Sequence, residues 1–402
     1  MDKNGTYLPI NSKMLIATVI PDDWGGSEVL WAHAVPLLQE EGWRMTVLKT
    51  KVDLDHPSIN KLRTTGVSFA TWMHRRPLWK RVIRKFASIY HNNRSNDNYL
   101  PGFARSANYY SLYRRIKAVN PKVVLINQGI NFDGMDVAYA CKSLQIPYFL
   151  ICHKAVEHFW PWPADRQQIA ALFDSAMATF FVSKHTQRVT EQQIGKIIPR
   201  GHLIYNPILI DKLIPFPTLP PDQVRWCCIG RLQLVDKGQD ILLNVLSQPK
   251  WKERPLYIDI LGSGPDRTSL EELARFLGVT KVKFLGYSDQ IQSVWSTYHV
   301  LISPSRCEGL PLTIMEAMMA GRPVITTQAG GSAEVIQEGV TGFVAACNEA
   351  SLDEAMERAW QSREHWQTMG MEAHQWIVAN IPQQPEQAFI QLLNQYLCKL
   401  PH

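Results

Sequence analysis

The stretch HVLISPSRCEGLPLTIMEAMMAGRPVITT, His299 to Thr327, decides the fold. HVLISPS is a short apolar run with strand character. PLTIMEAMMAG then carries apolar residues at helical spacing and stops at Gly321. RPVITT returns to β-branched residues. Strand, helix and strand in one short segment predict a parallel crossover unit, since parallel strands need a long connection and a helix supplies it. The unit holds two carboxylates eight positions apart. Glu308 sits in the loop at the end of the first strand, and Glu316 lies inside the apolar helix.

The same alternation extends outward in both directions. VRWCCIG, LYIDILG, VKFLG and TGFVAA read as strands, and KGQDILLNVLSQ, RTSLEELARFLG, SDQIQSVWSTY and SAEVIQEG as helices. The first half repeats the theme. KMLIATVI, RMTVLKT, KVVLIN, PYFLIC and ATFFVS are strand-like. VLWAHAVPLLQEEGW, SANYYSLYRRIKAV and DGMDVAYACKSLQ are helical. The prediction is α/β, with two doubly wound parallel sheets of Rossmann type. A chain of 402 residues also exceeds the roughly 250–300 residues that one core sustains. Five prolines between Pro207 and Pro221 suit neither a central strand nor a helix interior, so they mark the linker. The expected domains are 1–205, 206–375 and a final segment, 376–402. The helix of that segment, EQAFIQLLNQYL, is expected to pack back toward the first domain. Two such sheets facing each other leave a cleft at their carboxyl ends, where open α/β sheets bind ligands.

Composition narrows the function classes. The net charge of +6 is uneven: residues 1–200 carry 26 basic and 15 acidic side chains (+11), and residues 201–402 carry 16 and 21 (−5). His56 to Phe132 holds 14 basic residues and one acid, Asp97. Within it, Trp72, Trp79, Phe86 and Tyr90 alternate with Arg75, Arg76, Lys80, Arg81, Arg84 and Lys85. This is the pattern of an interfacial helix, of a basic face for an acidic acceptor, or of an ordinary solvated surface. No RNA-binding aromatic signature accompanies it, so nucleic acid is the weakest partner. No apolar run reaches the ~20 residues of a bilayer span, and MDKNGTYLPINSK has no apolar signal core. Seven cysteines without C-x-x-C spacing, most in buried-looking surroundings, favour a reducing cytoplasm over zinc or a disulfide framework. The expected localisation is therefore cytoplasmic, with peripheral contact at the inner face of the plasma membrane.

Local chemistry gives the crossover unit a role. Gly309, Leu310 and Pro311 turn the chain into the helix, whose first amides lack intrahelical partners and suit a phosphate or polarised hydroxyls. Glu316 is flanked by Ile314, Met315, Ala317, Met318 and Met319. A lone carboxylate there is costly, so a strong partner is expected, and a ribose diol is a good one.

These motifs together resemble the retaining glycosyltransferase family 4. They are Glu308-x7-Glu316, AGRPVITT, GGSAEVI and GVTGFV, with IGRLQLVDKGQDILL, ILGSGPDRTSLEELA, VKFLGY, FFVSKHTQ, LIYNPI and the GGSE loop at Gly25 to Glu28. The resemblance spans Gly25 to Phe343 and implies the GT-B fold. It implies that Arg231 and Lys237, next to Gly230, clamp a donor diphosphate, and that Glu308 contacts the transferred sugar. Gly262, Gly264 and Tyr287 would lie by the base, and Glu316 on the ribose. Gly309, Leu310, Pro311, Leu312 and Thr313 would touch sugar and phosphate. Gly25 and Gly26 would let backbone approach the diphosphate, and His153 would bond sugar or acceptor. Trp24, with Asp22 and Asp23, would line the acceptor side. Lys154 departs from the small or acidic residue usual there. The letters of Asp-x-Asp occur only at Asp53 to Asp55, away from the expected donor site, so metal-independent transfer without a further cofactor is expected. The expected partners are a nucleotide sugar and a glycan or lipid-linked acceptor, with UDP or GDP as the base. Alternatives are a nucleotide-sugar epimerase, a phosphorylase-like enzyme and a non-catalytic subunit.

Overall fold

A computed structural model describes residues 12–20, 24–72, 102, 107–218, 222–288 and 290–400. Arg75, Arg76, Lys80, Arg81, Arg84, Lys85, Asp22 and Asp23 lie outside the described residues. Trp72, the one described residue among Trp72, Trp79, Phe86 and Tyr90, is buried in the core rather than offered to an interface.

The first domain is a parallel sheet of seven strands in the order β3-β2-β1-β4-β5-β6-β7. These are β1 Lys13–Thr18, β2 Arg44–Lys49, β3 Ser68–Thr71, β4 Val123–Gln128, β5 Tyr148–Cys152, β6 Thr179–Phe181 and β7 Gly201–Leu203. The second is a parallel sheet of six, β10-β9-β8-β11-β12-β13. Its strands are β8 Val224–Ile229, β9 Leu256–Leu261, β10 Val282–Gly286, β11 Val300–Ser303, β12 Val324–Thr327 and β13 Gly342–Ala345. The order reverses between β1 and β4, and again between β8 and β11. Each reversal opens a crevice at the strands' carboxyl ends.

Both faces of each sheet are buried, which is why its strands read as continuous apolar runs. Along β1, Met14 and Ile16 face one core and Leu15 and Ala17 the other, the period-two consequence of the pleat. In the second domain Trp226 packs edge-on to Trp366 at 5.8 Å, and the Arg254 guanidinium lies 4.3 Å from the Trp251 ring centre.

Several local expectations needed correction. KGQDILLNVLSQ holds the helix Gln239–Leu246, shorter than expected because Gly238 at φ +61° sets it off from a preceding helical turn, Leu234–Lys237. SDQIQSVWSTY forms only the short helix Ile291–Trp295, and SAEVIQEG only a 3-10 turn, Ser332–Val335. The proline-rich connection is packed down rather than free. Ile210 and Ile214 are buried in the second domain's core. The wholly buried Arg322 donates to the carbonyls of Ile214, Pro215, Trp295 and Tyr298. Most of the thiols are buried as expected (Cys141, Cys152, Cys227 and Cys228), whereas Cys347 and Cys398 are exposed. The last helix, Pro385–Leu397, sends Phe389, Ile390 and Leu393 into the first domain's core, where Tyr396 Oη meets His202 Nε2 at 2.6 Å.

Candidate active site

On the second domain the loop after β8 is held against the loop after β11. Arg306 and Cys307 donate backbone N–H to the Asp236 carbonyl at 2.7 and 3.0 Å. The Arg306 guanidinium forks onto both oxygens of Asp240 at 2.6 Å. Gly238 lies so close to the Pro304 carbonyl that a Cβ would collide with it. This clamp puts Lys237 Nζ 2.5 Å from Glu308 Oε1, which also accepts from Ser305 Oγ at 2.7 Å. The stem of Lys237 lies along Gly230. Arg231 is exposed on the same loop, its carbonyl accepting from Gln239 Nε2 at 2.9 Å. The sequence places Lys237 and Glu308 in one site, and the structure joins them as an ion pair.

After Glu308, Gly309 and Leu310 lead to Pro311, the N-cap of helix Leu312–Met319. The first helical bond is Ile314 N–H to the Pro311 carbonyl at 3.2 Å, so the Leu312 and Thr313 amides precede the ladder. Glu316 is 4% exposed among apolar neighbours. The strong protein partner expected for it is absent among the described residues. Burial pushes its carboxyl up to about 8.

The glycines of LGSGP serve the loop itself. Gly262 has φ +140°, and a Cβ there would strike the Gly230 carbonyl; one at Gly264 would strike Leu232 backbone. Tyr287 is exposed just past β10.

Across the cleft, Gly25 caps helix Gly26–Glu40 in extended conformation, with open space around it. Gly26 faces Leu312, so the N-termini of two helices converge at the cleft. Trp24 stacks on His56 at 5.5 Å, meets Trp31 edge-on at 5.9 Å and packs, partly buried, against the first domain's core.

His153 follows β5 and is 6% exposed. Its Nε2 lies 2.8 Å from Asn127 Oδ1. The Asn127 amide cannot be reversed: its Nδ2 faces the Ser27 carbonyl at 3.1 Å and the Glu28 carboxylate at 3.3 Å, and both only accept. Nε2 therefore carries the proton and Nδ1 presents its lone pair, buried and without a hydrogen-bond partner among the described residues. Burial pulls the imidazole down to about 3, so it stays neutral at working pH. Such a histidine accepts a hydrogen bond from a hydroxyl but serves neither as a general acid nor as a strong base. The anchor of the chain is Glu28, fully buried and paired with the equally buried Lys49, with Thr18 Oγ1 donating at 3.0 Å. Sequence reasoning quoted Glu28 without giving it a role. The signal was Lys49 at the end of an otherwise apolar strand.

The two halves touch here. Lys154 Nζ bonds Asp236 Oδ2 at 2.9 Å, which gives the residue that departs from the family pattern a bridging place. A Cβ on Gly309 would collide with the His153 carbonyl, and one on Gly331 would crowd Ser183. Leu310 packs on the cores of both domains. Glu334, missed from sequence, reaches over to cap helix Lys184–Ile194, accepting from the Lys184 and His185 amides at 3.1 and 2.6 Å. Glu334 is exposed, so the cap is worth roughly 0.5–1 kcal/mol. Glu334→Ala is expected to shift the open-to-closed ratio of the domains about twofold to fivefold toward open. Interdomain spin-label distances would register this, and an unchanged distribution would dismiss the cap as a closure contact.

Known proteins share this architecture. Residues 223–362 match the family described as glycosyl transferases group 1, so the second domain carries that module. A Vi polysaccharide biosynthesis protein, VipC/TviE, of Salmonella typhi is 38% identical over 112 residues, covering 26% of this chain and 19% of the relative. A GDP-mannose-dependent alpha-(1-6)-phosphatidylinositol monomannoside mannosyltransferase of Mycobacterium tuberculosis is 27% identical over 241 residues, covering 54% and 61%. The chain thus spans less than two thirds of the length of these relatives. Anabaena Alr3699/HepE in complex with UDP and glucose superimposes with a TM-score of 0.69 at 17% identity, covering 95% of this chain and 100% of that one. Sucrose-phosphate synthase from Thermosynechococcus elongatus gives 0.69 at 17%, covering 96% and 99%. The two facing parallel-sheet domains are the GT-B fold. Among the described residues, no helix is long and apolar enough to cross a membrane.

Proposed function

We propose that this chain is a retaining, metal-independent glycosyltransferase of family 4. It would move a hexosyl unit from a nucleotide-diphosphate sugar to a hydroxyl of a glycan or lipid-linked acceptor, in cell-surface polysaccharide or glycolipid synthesis. The observation that carries this is the Lys237–Glu308 pair at the mouth of helix Leu312–Met319, opposite His153. The reading is supported by the group 1 module, by a structural relative solved with UDP and by a relative named for GDP-mannose.

The chemistry divides among the residues. Lys237 and Arg231 meet the diphosphate, whose negative charge grows as the bond to the sugar breaks; a charge that grows in the transition state is where fixed cations accelerate most. Glu308, freed from Lys237, accepts from hydroxyls of the sugar. The Leu312 and Thr313 amides add donors without needing an ion. Glu316 takes the ribose diol. His153 Nδ1 accepts a hydrogen bond from a hydroxyl of the sugar or acceptor and holds it in place without taking its proton. The acceptor attacks the face the diphosphate leaves, and its proton goes to a departing phosphate oxygen.

A thermal-shift series with UDP, GDP, ADP and their sugar conjugates tests the reading. One diphosphate is expected to raise the melting midpoint well above the others, by linkage of binding to folding. UDP comes first and GDP second. Slow release of that diphosphate from its sugar conjugate, undiminished by EDTA, is the companion result. No shift with any of them would overturn the assignment.

A further inference from the structure

Three large aromatics stand out in solvent just beyond the site: Phe159, Trp160 and Trp162 are 48%, 59% and 79% exposed. They sit on the loop that leaves β5 through His153. This loop is at the cleft, since Lys154 bridges to Asp236 and Glu157 lies 3.0 Å from His185 Nε2. We propose that Phe159, Trp160 and Trp162 form a stacking platform for a neutral saccharide chain, the part of the acceptor that extends away from the reacting hydroxyl.

The loop is built rather than slack. The buried Asn131 accepts from Val156 N–H at 3.1 Å and donates to the Phe159 carbonyl at 3.2 Å. The buried Gln193 donates to the carbonyls of Val156 and Glu157 at 2.8 and 3.2 Å. Asp165 and Arg166 N–H close onto the Trp162 carbonyl at 2.8 and 3.1 Å. Pro161 and Pro163 flank Trp162 and fix its backbone. Two buried amide side chains thus hold a segment whose three aromatics keep about half or more of their surface in solvent, an ordered apolar face open to a partner outside the chain. A preordered indole loses little freedom on binding, and its flat apolar face with a polar edge suits the C–H face of a pyranose ring.

Charge selects the occupant. Between His153 and Arg166 the acids are Glu157 and Asp165 and the cations Lys154 and Arg166. Lys154 is paired with Asp236. Arg166 donates to the Gln193 carbonyl at 2.8 Å and lies 5.9 Å from the Trp160 ring centre. Among the described residues of this loop, no cation is left over to draw it to an anionic bilayer. The Glu157 carboxylate, largely exposed, would repel an acidic glycan and accept from neutral sugar hydroxyls.

The proposal rests on the glycosyltransferase reading, and the test separates the two. Native gels cast with dextran, yeast mannan or galactomannan are run with the wild-type chain, Trp162→Ala and the double variant Trp160→Ala/Trp162→Ala. At least one polymer is expected to retard the wild type. The double variant is expected to bind it about tenfold more weakly, the loss of stacked aromatic contact. Its nucleotide thermal shift should stay unchanged, since no residue of the donor site is altered. No retardation in any gel overturns the platform, as does retardation that the double variant keeps. Retention on phosphatidylglycerol vesicles that the double variant loses would reassign the patch to a bilayer. If the wild type is retarded but no nucleotide shifts it, the platform stands and the transferase reading falls.

Discussion

Lys237→Ala is expected to lower the rate of nucleoside-diphosphate release by more than about 10²-fold, the usual cost of removing one charge-stabilising group. The loss should fall mainly on kcat, because the ammonium matters most once the bond to the sugar has stretched and charge has moved onto the leaving oxygens. The fold should survive. Lys237 is partly exposed, and Glu308 keeps its bond from Ser305 when the ammonium is gone. The two charges offset each other, and the bond from Ser305 holds Glu308 in place. Initial rates, with a melting curve to certify folding, decide the matter. Near-wild-type turnover in a folded Lys237→Ala chain would remove Lys237 from the clamp.

The fold was legible because both sheets are buried on both faces. Runs such as MLIAT and VRWCC then read as strands without alternation, and each helix between them closes a parallel crossover. The donor side of the site was legible for a related reason. Its residues lie on loops at strand ends, where glycines and single charges stand out from apolar flanks. Contacts set by tertiary approach were not legible. Gly309 packs its backbone on His153, and Glu334 caps a helix of the other domain; neither residue's neighbours in sequence disclose the other domain. The Asn127–His153 bond joins residues from two adjacent strand ends, in a sheet order the sequence does not state. Nothing in AGRPVITT discloses that Arg322 is wholly buried and donates to six main-chain carbonyls. The glycines of LGSGP have a backbone reason of their own, since Gly262 and Gly264 let that loop pass the loop after β8.

Glu316 yields the second large effect, a proton released when nucleotide binds. Its carboxyl, buried with no protein partner, is raised from 4.5 to about 8, so at pH 7 the empty site holds it mostly protonated. A ribose diol gives two donors to the ionised form, and donors to the ionised form pull the pKa back down. Binding of UDP or GDP at pH 7 is therefore expected to expel close to one proton, falling toward none above about pH 9. Titration calorimetry in buffers of different ionisation enthalpy measures this number directly. The bound diphosphate also titrates, so Glu316→Gln is the control, expected to bind at least about tenfold more weakly and to lose this release. The empty protein gives an independent check. A native carboxyl raised above its unfolded value binds more protons than the unfolded chain between about 4.5 and 8. Stability must then fall as pH rises through that window and level off above it. Glu316→Gln escapes the penalty. Its melting midpoint should exceed the wild type's above pH 8, and the two should converge below pH 4.5. A wild type that binds nucleotide without releasing a proton, and melts in parallel with Glu316→Gln at every pH, would mean that Glu316 is neither desolvated nor seated on the ribose.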